Sequence, residues 1–302
     1  MTALDPVGVV IYDAPSRPPV AERSLVLTAR GLDHALVQVQ RRWQIQVSPE
    51  LLEAARSELA SYERENWPRP LPARVPEIES GIVGVLAYVA VLVGFAALDD
   101  LTLLGIDWRA AGRMDAGATL GGEWWRTVTA LTLHLDLGHV LANLAFGVFF
   151  GLFAGRYLGS GVAWLSILAG GAFGNALNAF LQAPEHRAVG ASTAVFAALG
   201  LLSGYVWRRG YLRQLSWPRR LAPVVAGIAL LAYTGTGGEN TDVGAHLTGF
   251  VCGFALGLVY GLSLKRMSLG RVVQWIAGVA ALAILSGSWW LAVQAWLTSQ
   301  RI

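Results

Sequence analysis

Hydrophobic and polar positions fall into two regimes along this 302-residue chain, and the change comes near residue 80. Before it, short apolar stretches alternate with charges. Val9 to Tyr12 is rich in strand formers, and Ala21 to Arg30 reads as a helix closed by Gly31. His34 to Val39 and Trp43 to Val47 alternate in the strand manner around Gln40-Arg-Arg, which predicts a hairpin. Ser48 then precedes a helix over Pro49 to Glu65, with Pro at its first position. The predicted order is β-α-β-β-α, a small α+β domain over residues 1–66. Residues 67–77, WPRPLPARVPE, carry four prolines and predict an extended linker that ends by residue 80.

After residue 80 the pattern becomes long apolar runs over a membrane domain, residues 81–302. Seven segments stand out: Gly81–Leu98, Leu137–Ala154, Gly161–Leu181, Ala191–Trp207, Leu221–Gly235, Val243–Leu264 and Val272–Leu297. A spanning helix needs about 20 apolar residues, so the fifth segment is short for the task. Leu101 to Thr129 is long, mixed and rich in tryptophan, and reads as a loop at the membrane interface. The expected fold class is an all-α polytopic bundle of about seven spans, preceded by the α+β unit.

Composition supports this division. Hydrophobic residues make up 54% of the chain and charged ones only 14%, with a mean hydropathy of +0.49; soluble domains carry about 25% charge. Residues 1–80 hold 9 Arg and 11 Asp or Glu, whereas the remaining 222 hold 14 basic and 9 acidic side chains. The net charge of +3 gives no nucleic-acid signature. Instead the basic residues report topology. With the N-terminus inside, the cytoplasmic loops between spans hold Arg156, Arg208, Arg209, Arg213, Arg219, Arg220, Lys265, Arg266 and Arg271, and no acid. The C-terminus is then expected on the opposite side. Met1-Thr-Ala-Leu-Asp-Pro lacks the basic and apolar regions of a signal peptide, which places the first 80 residues in the cytoplasm. Arg outnumbers Lys 22 to 1, a bias of GC-rich bacterial genomes that points to an inner membrane. Cys252 is the one cysteine; it lies in an apolar run and reads as a small core residue.

Polar residues inside spans are costly and mark function by default. Three stretches qualify. His139 and Asn143, in His134-Leu-Asp-Leu-Gly-His139-Val-Leu-Ala-Asn143, share a helix face and can both donate hydrogen bonds; the alternative is that they satisfy a neighbouring helix. Ser192, in Gly190-Ala-Ser192-Thr-Ala-Val-Phe196, opens the fourth span. A serine there is ordinarily a cap, yet free N–H groups at a helix start can also hold an oxyanion. His246 lies in Asp242-Val-Gly-Ala-His246-Leu-Thr-Gly249. Gly249, Gly253 and Gly257 form a ridge that lets a helix approach closely, and Ala194, Ala197 and Ala198 give the fourth span a matching face. Such packing draws His246 towards Ser192 as a nucleophile–base pair. All three stretches sit near the outer ends of their spans.

In this combination the chain resembles the rhomboid intramembrane proteases. Glu123-Trp-Trp-Arg126, the HxxxN stretch His139 to Asn143, the GxS stretch Gly190 to Ser192 and the AHxxG stretch Ala245 to Gly249 occur in the family's order and spacing. The resemblance covers residues 80–265, and the last span is similar to the helix that bacterial members add to a six-helix core. It implies a serine endopeptidase that cleaves transmembrane segments. Ser192 would be the nucleophile and His246 the general base, with no carboxylate, metal or cofactor. His139, Asn143 and the Ser192 N–H would form the oxyanion hole. Phe196 would pack on the histidine, Gly249 would keep spans four and six close, and Arg126 would flank the substrate entrance. The implied partners are transmembrane protein substrates and the lipid bilayer. Thr193 departs from the glycine usual after the nucleophile.

Asp242, four residues before His246, makes a triad conceivable at a wet interface. His134 reads as a structural residue that holds the interfacial loop, and His186 and His34 fall outside the site. Other readings are a catalytically inactive relative that binds membrane clients, and a transporter, for which no repeated halves appear. No H-E-x-x-H supports a metalloprotease, and no pair of aspartates lies inside a span.

Overall fold

The computed structural model describes residues 8–66, 77–209, 242–263 and 270–301, with a few positions between 221 and 229. Most of the proline-rich linker and most of the fifth apolar segment, Leu221–Gly235, lie outside the described residues. The chain forms two compact units, Met1–Leu71 and Pro72–Ile302.

In the first unit, β1 (Val9–Ala14), α1 (Arg17–Ala29), β2 (Ala35–Val39), β3 (Arg42–Val47) and α2 (Leu52–Glu65) follow the order that the alternation predicts. The sheet is antiparallel in the order β1-β3-β2. Gln40 and Arg41 turn the hairpin with φ of 48° and 66°, the positive values a two-residue turn needs to match strand twist. Val20 and Leu27 from α1 and Ala55 and Leu59 from α2 bury against Ile45 and Val47. The helix start at Pro49 is a single 3-10 turn, Pro49–Leu51, before α2 proper.

The second unit is a helical bundle. Its long helices are α3 (Ile82–Asp100), α7 (Leu137–Leu158), α8 (Ser160–Leu181), α9 (Ser192–Arg209), α10 (Val243–Ser263) and α11 (Arg271–Ser299). Among the described residues, five of these are long and apolar enough to cross a membrane; α9 is the exception. Its polarity has a structural reason. Twelve of its eighteen residues are buried, so α9 faces other helices instead of lipid and can carry Ser192, Thr193 and Ser203.

Leu101 to Thr129 is not a span, as its mixed composition predicts. It is also not structureless. It folds into α4 (Trp108–Gly112), strand β4 (Met114–Asp115), α5 (Ala116–Leu120) and α6 (Arg126–Thr129). Asp107 and Asp115 cap α4 and α5 by accepting from the N–H groups of Ala110 and Ala118. Trp108, Ala111 and Leu133 pack against Trp289 and Ala292 of α11, and Trp289 Nε1 donates to Thr132 Oγ1 at 3.1 Å.

The contact between α9 and α10 organises the bundle. A Cβ on Gly249, Gly253 or Gly257 would collide with the carbonyl oxygen of Thr193, Ala197 or Leu201 respectively. Each step is four residues on both helices, so the ridge runs straight along the partner's backbone. The small positions are reciprocal, because Gly200 and Gly204 of α9 meet the carbonyls of Phe250 and Phe254. In lipid there is no hydrophobic drive between helices, and dispersion at this close approach takes its place. Gly253→Leu should therefore force the helices apart at a cost of about 1–3 kcal/mol or more. Thermal unfolding in detergent checks this. Gly287→Leu, at a position where a Cβ meets nothing within 4 Å, should leave the melting temperature unchanged or raise it. Equal behaviour of the two variants would refute the close-packing account.

Candidate active site

Val195 N–H donates to Ala191 O at 2.9 Å, so Ala191 caps α9 and Ser192 is its first helical residue. The N–H groups of the first turn then have no acceptor within the helix and carry its positive end. The approach to Ser192 is stapled on one side. β5 (Arg187–Ala188) pairs antiparallel with β4, Gly190 N–H donates to Ala130 O at 2.9 Å, and Ala116 N–H donates to His186 O at 3.0 Å. Gly190 has φ +138°, and a Cβ there would lie 2.7 Å from His139 Cε1 and 2.8 Å from its Nε2. Only glycine allows both that backbone and that neighbour. The His139 ring thus lies beside the Gly190 Cα, and Ser192 Oγ is 3.5 Å from the same Cβ position.

Asp136 caps α7 through His139 N–H at 2.8 Å. One turn on, Asn143 is buried. Its Nδ2 donates to His139 O at 3.0 Å, while Tyr88 donates to the Asn143 carbonyl at 2.8 Å. One of the two Asn143 Nδ2 hydrogens is therefore committed to its own helix. His246 is buried on α10, and its ring stacks on Phe196 with centroids 4.5 Å apart and planes at 30°. Its Nδ1 is buried with no hydrogen-bond partner among the described residues. Among the described residues, no hydrogen bond joins Ser192 Oγ to His246.

Asp242 does not complete a triad. Its Oδ1 accepts from Ala245 N–H at 2.9 Å, capping α10. Its Oδ2 pairs with His186 Nε2 at 2.7 Å and accepts from Asn178 Nδ2 at 2.8 Å. The carboxylate is occupied, and the His246 Nδ1 stays bare. His186 is thus nearer the site than its sequence position indicates: through Asp242 it ties the loop before Ser192 to the helix bearing His246.

Arg126 is a brace within the loop. Its side chain bonds Glu123 at 2.5 Å and the carbonyls of Ala110 and Arg113 at 3.2 and 2.9 Å. Trp124 beside it is exposed, which suits an interfacial position. The Thr193 methyl lies where α8, α9 and α10 meet, 2.9 Å and 3.0 Å from the positions Cβ atoms on Gly174 and Gly249 would take. Its backbone is helical and φ is not positive. The threonine therefore fills an interhelical gap that glycine would leave open, away from any need for left-handed backbone.

Sequence reasoning passed over Asn175 and Asn178 on α8. Asn175 Nδ2 donates to Thr127 O at 2.9 Å, and Asn178 holds Asp242. Two buried amides in an apolar span were the available signal. Among the described residues, no group of His, Cys, Asp and Glu is arranged to hold a metal.

A family model described as a rhomboid domain matches residues 121–263. The chain is similar to Rhomboid-like protease 1 of Toxoplasma gondii, 30% identical over 171 residues, which are 54% of this chain and 55% of that protein. It is similar to rhomboid protease GluP of Bacillus subtilis, 30% identical over 178 residues, 58% of this chain and 33% of that protein. RHOMBOID-like protein 1 of Arabidopsis thaliana is 31% identical over 140 residues, 46% of this chain and 35% of that protein. The chain thus spans about half of the first of these relatives and about a third of the other two.

Two measurements probe the scaffold. His134 is buried, and its Nε2 accepts from Ala191 N–H at 3.4 Å. Burial, and then the nearby His139, push its pKa down from 6.5 to about 4. A depressed histidine stabilises the fold fully above pH 6.5 and loses that contribution as pH falls towards 4. The melting temperature should decline over that window, and His134→Gln should flatten the decline; an unaltered profile would acquit His134. Asp242→Ala should cost about 1 kcal/mol for the lost cap. Because His186 acts through the same carboxylate, His186→Ala should add little in that background. Fully additive losses in a double-mutant cycle would show that the two act independently.

Proposed function

The chain belongs to the rhomboid family, and from that premise we propose that it is an intramembrane serine endopeptidase that cleaves transmembrane segments of other membrane proteins. Ser192 Oγ attacks the scissile carbonyl while His246 takes its proton. The negative charge that develops on the carbonyl oxygen is held by the Ser192 N–H, the His139 ring and the Asn143 amide. His246 then protonates the leaving amine. Water, activated by the same histidine, hydrolyses the acyl-enzyme.

The observation that carries this reading is the stacking of Phe196 on His246. Ser192 lies one turn before Phe196 on α9, so the same face that meets the histidine ends at the serine. The glycine ridge fixes this register along the whole contact. A direct Ser192–His246 hydrogen bond is not a requirement of this reading, because catalytic hydrogen bonds often tighten only on substrate binding.

The topology belongs to the same proposal. The protein is a multi-pass membrane protein; we place it in a bacterial inner membrane with the N-terminus cytoplasmic, the C-terminus opposite and the site near the outer surface. Residues 1–66 then form a separable cytoplasmic domain on a linker over 67–80. The basic residues of alternate loops support this orientation.

The deciding experiment combines cleavage of a test transmembrane substrate with labelling by a fluorophosphonate. Wild type should cut and label at Ser192. Ser192→Ala should lose both activities, and His246→Ala should lose cleavage, with the fold retained. His139→Ala and Asn143→Ala should lower kcat by about 10²–10³-fold with little change in KM. A chain beginning near Pro76 should still cleave. Wild type that binds substrate but neither cuts nor labels would place the protein among inactive client-binding relatives.

A further inference from the structure

A crevice of 770 Å³ opens between α3, α8 and α11, apart from the site just described. Its walls are almost wholly apolar, including Val83, Val91, Trp164, Trp275, Val279 and Leu282. Val83, Trp275, Val279 and Leu282 are also exposed, so its mouth faces the surroundings of the bundle. It runs along α11 from Arg271 to Leu285 and beside α3 from Val83 to Leu92, a length of about 20 Å on α11 at 1.5 Å per helical residue. Volume over length gives a width of about 7 Å for atom centres, or about 10 Å from wall to wall, which is ample for acyl chains and at the lower limit for a helix of 10–12 Å with its side chains.

One end is polar. Glu79, Ser160, Gln274 and Arg271 gather where α3, α8 and α11 begin. Most of these are committed: a Glu79 oxygen accepts from Ser160 N–H, and Gln274 bridges Val162 N–H and Leu158 O at 3.0 and 2.9 Å. Arg271 is exposed and has no partner among the described residues. Arg156, whose carbonyl accepts from Ile78 N–H, lies at the same face. A backbone N–H does not neutralise the Glu79 carboxylate, so with Arg271 and Arg156 the formal charge at this end is one net positive. The lining also includes Leu131, Thr132, Ala191 and Ala194, and the last two flank Ser192 in sequence.

An apolar groove open to a bilayer is not filled by water, and an empty one forfeits the dispersion of its whole lining. The bilayer offers one component of the right shape. A single leaflet has an apolar depth of about 15 Å, so an acyl chain anchored at the Arg271 face reaches most of the way along the crevice. We infer that this crevice binds one anionic phospholipid, with an acyl chain lying between α3 and α11 and the phosphate on Arg271. The acyl chain then packs beside Ala191 and Ala194, and the lipid is a structural ligand of the segment that carries Ser192. This inference stands whether or not the protein cleaves substrates.

Native mass spectrometry of the full chain in detergent tests it, with phosphatidylglycerol or phosphatidylcholine added. Wild type should retain one phosphatidylglycerol under activation that strips other lipids. Its melting temperature should rise with phosphatidylglycerol concentration, since the lipid binds the folded state. Ala87→Phe and Val279→Phe fill opposite walls of the crevice; both should abolish retention and the lipid-dependent rise. Arg271→Gln should weaken phosphatidylglycerol about five-fold, the factor for one basic side chain at a charged membrane surface, and leave phosphatidylcholine unchanged. Equal retention in wild type and the two filled variants would overturn the inference, as would retention that ignores headgroup charge in wild type.

Discussion

Everything in this membrane domain depends on how closely two backbones can approach. α9 and α10 pack with glycines against carbonyl oxygens in register over three turns. No side chain separates them, so neither helix can slide or rotate without a collision. That rigidity is what a serine and a histidine on different helices need. Their relative position is fixed by the ridge several residues away, not by a hydrogen bond between them. A Cβ on Gly174 of α8 would lie 2.7 Å from the Gly249 Cα, and this close approach makes the contact three-sided. Thr193 fits this crossing because its methyl occupies the space the glycines leave.

The second constraint is that polar groups inside the bundle must find partners. The protein answers it at helix ends. Asp107, Asp115, Asp136 and Asp242 each cap a helix on the side where the candidate residues lie. Asn175 and Asn178 knit α8 to the loop and to α10. Against this background the bare Nδ1 of His246 stands out. A buried imidazole nitrogen without a partner costs stability, a cost that the proposed role of His246 as a base would explain.

The interfacial segment and α11 extend the same logic outward. Residues 106–133 contain only short helices and a two-residue strand. Trp108, Trp289 and Phe95 form an aromatic cluster with centroids 4.7–6.1 Å apart, which anchors that segment to the last helix. Arg126 ties its carbonyls together from within. The loop that bears Gly190 is then stapled to it by β4 and β5, so the last helix bears indirectly on the backbone before Ser192. The crevice lies on the same side of the bundle, between α11 and α3.

Much of this was legible in the sequence. Apolar runs of about 20 residues fix which segments can cross a membrane, because the bilayer sets that length whatever the neighbours are. Alternation and turn residues fix the strands and helices of the first unit for an equally local reason. The glycine spacing of 249, 253 and 257 foretold a close helix pair, since a ridge of that period has one use in lipid. The spacing of His139 and Asn143, and of Ser192 and Phe196, placed each pair on one helix face. What the sequence could not determine was partnership across the chain. Asp242 sits four residues before His246, yet it binds His186 and Asn178, 56 and 64 residues away. Arg126, expected to flank a substrate entrance, bonds Glu123 and the carbonyls of Ala110 and Arg113 within its own segment. Asn143 reads as a free donor and is bonded to its own helix. A side chain's hydrogen bonds and contacts are chosen by what surrounds it in space, and only the packing of α8, α9, α10 and the interfacial segment decides that.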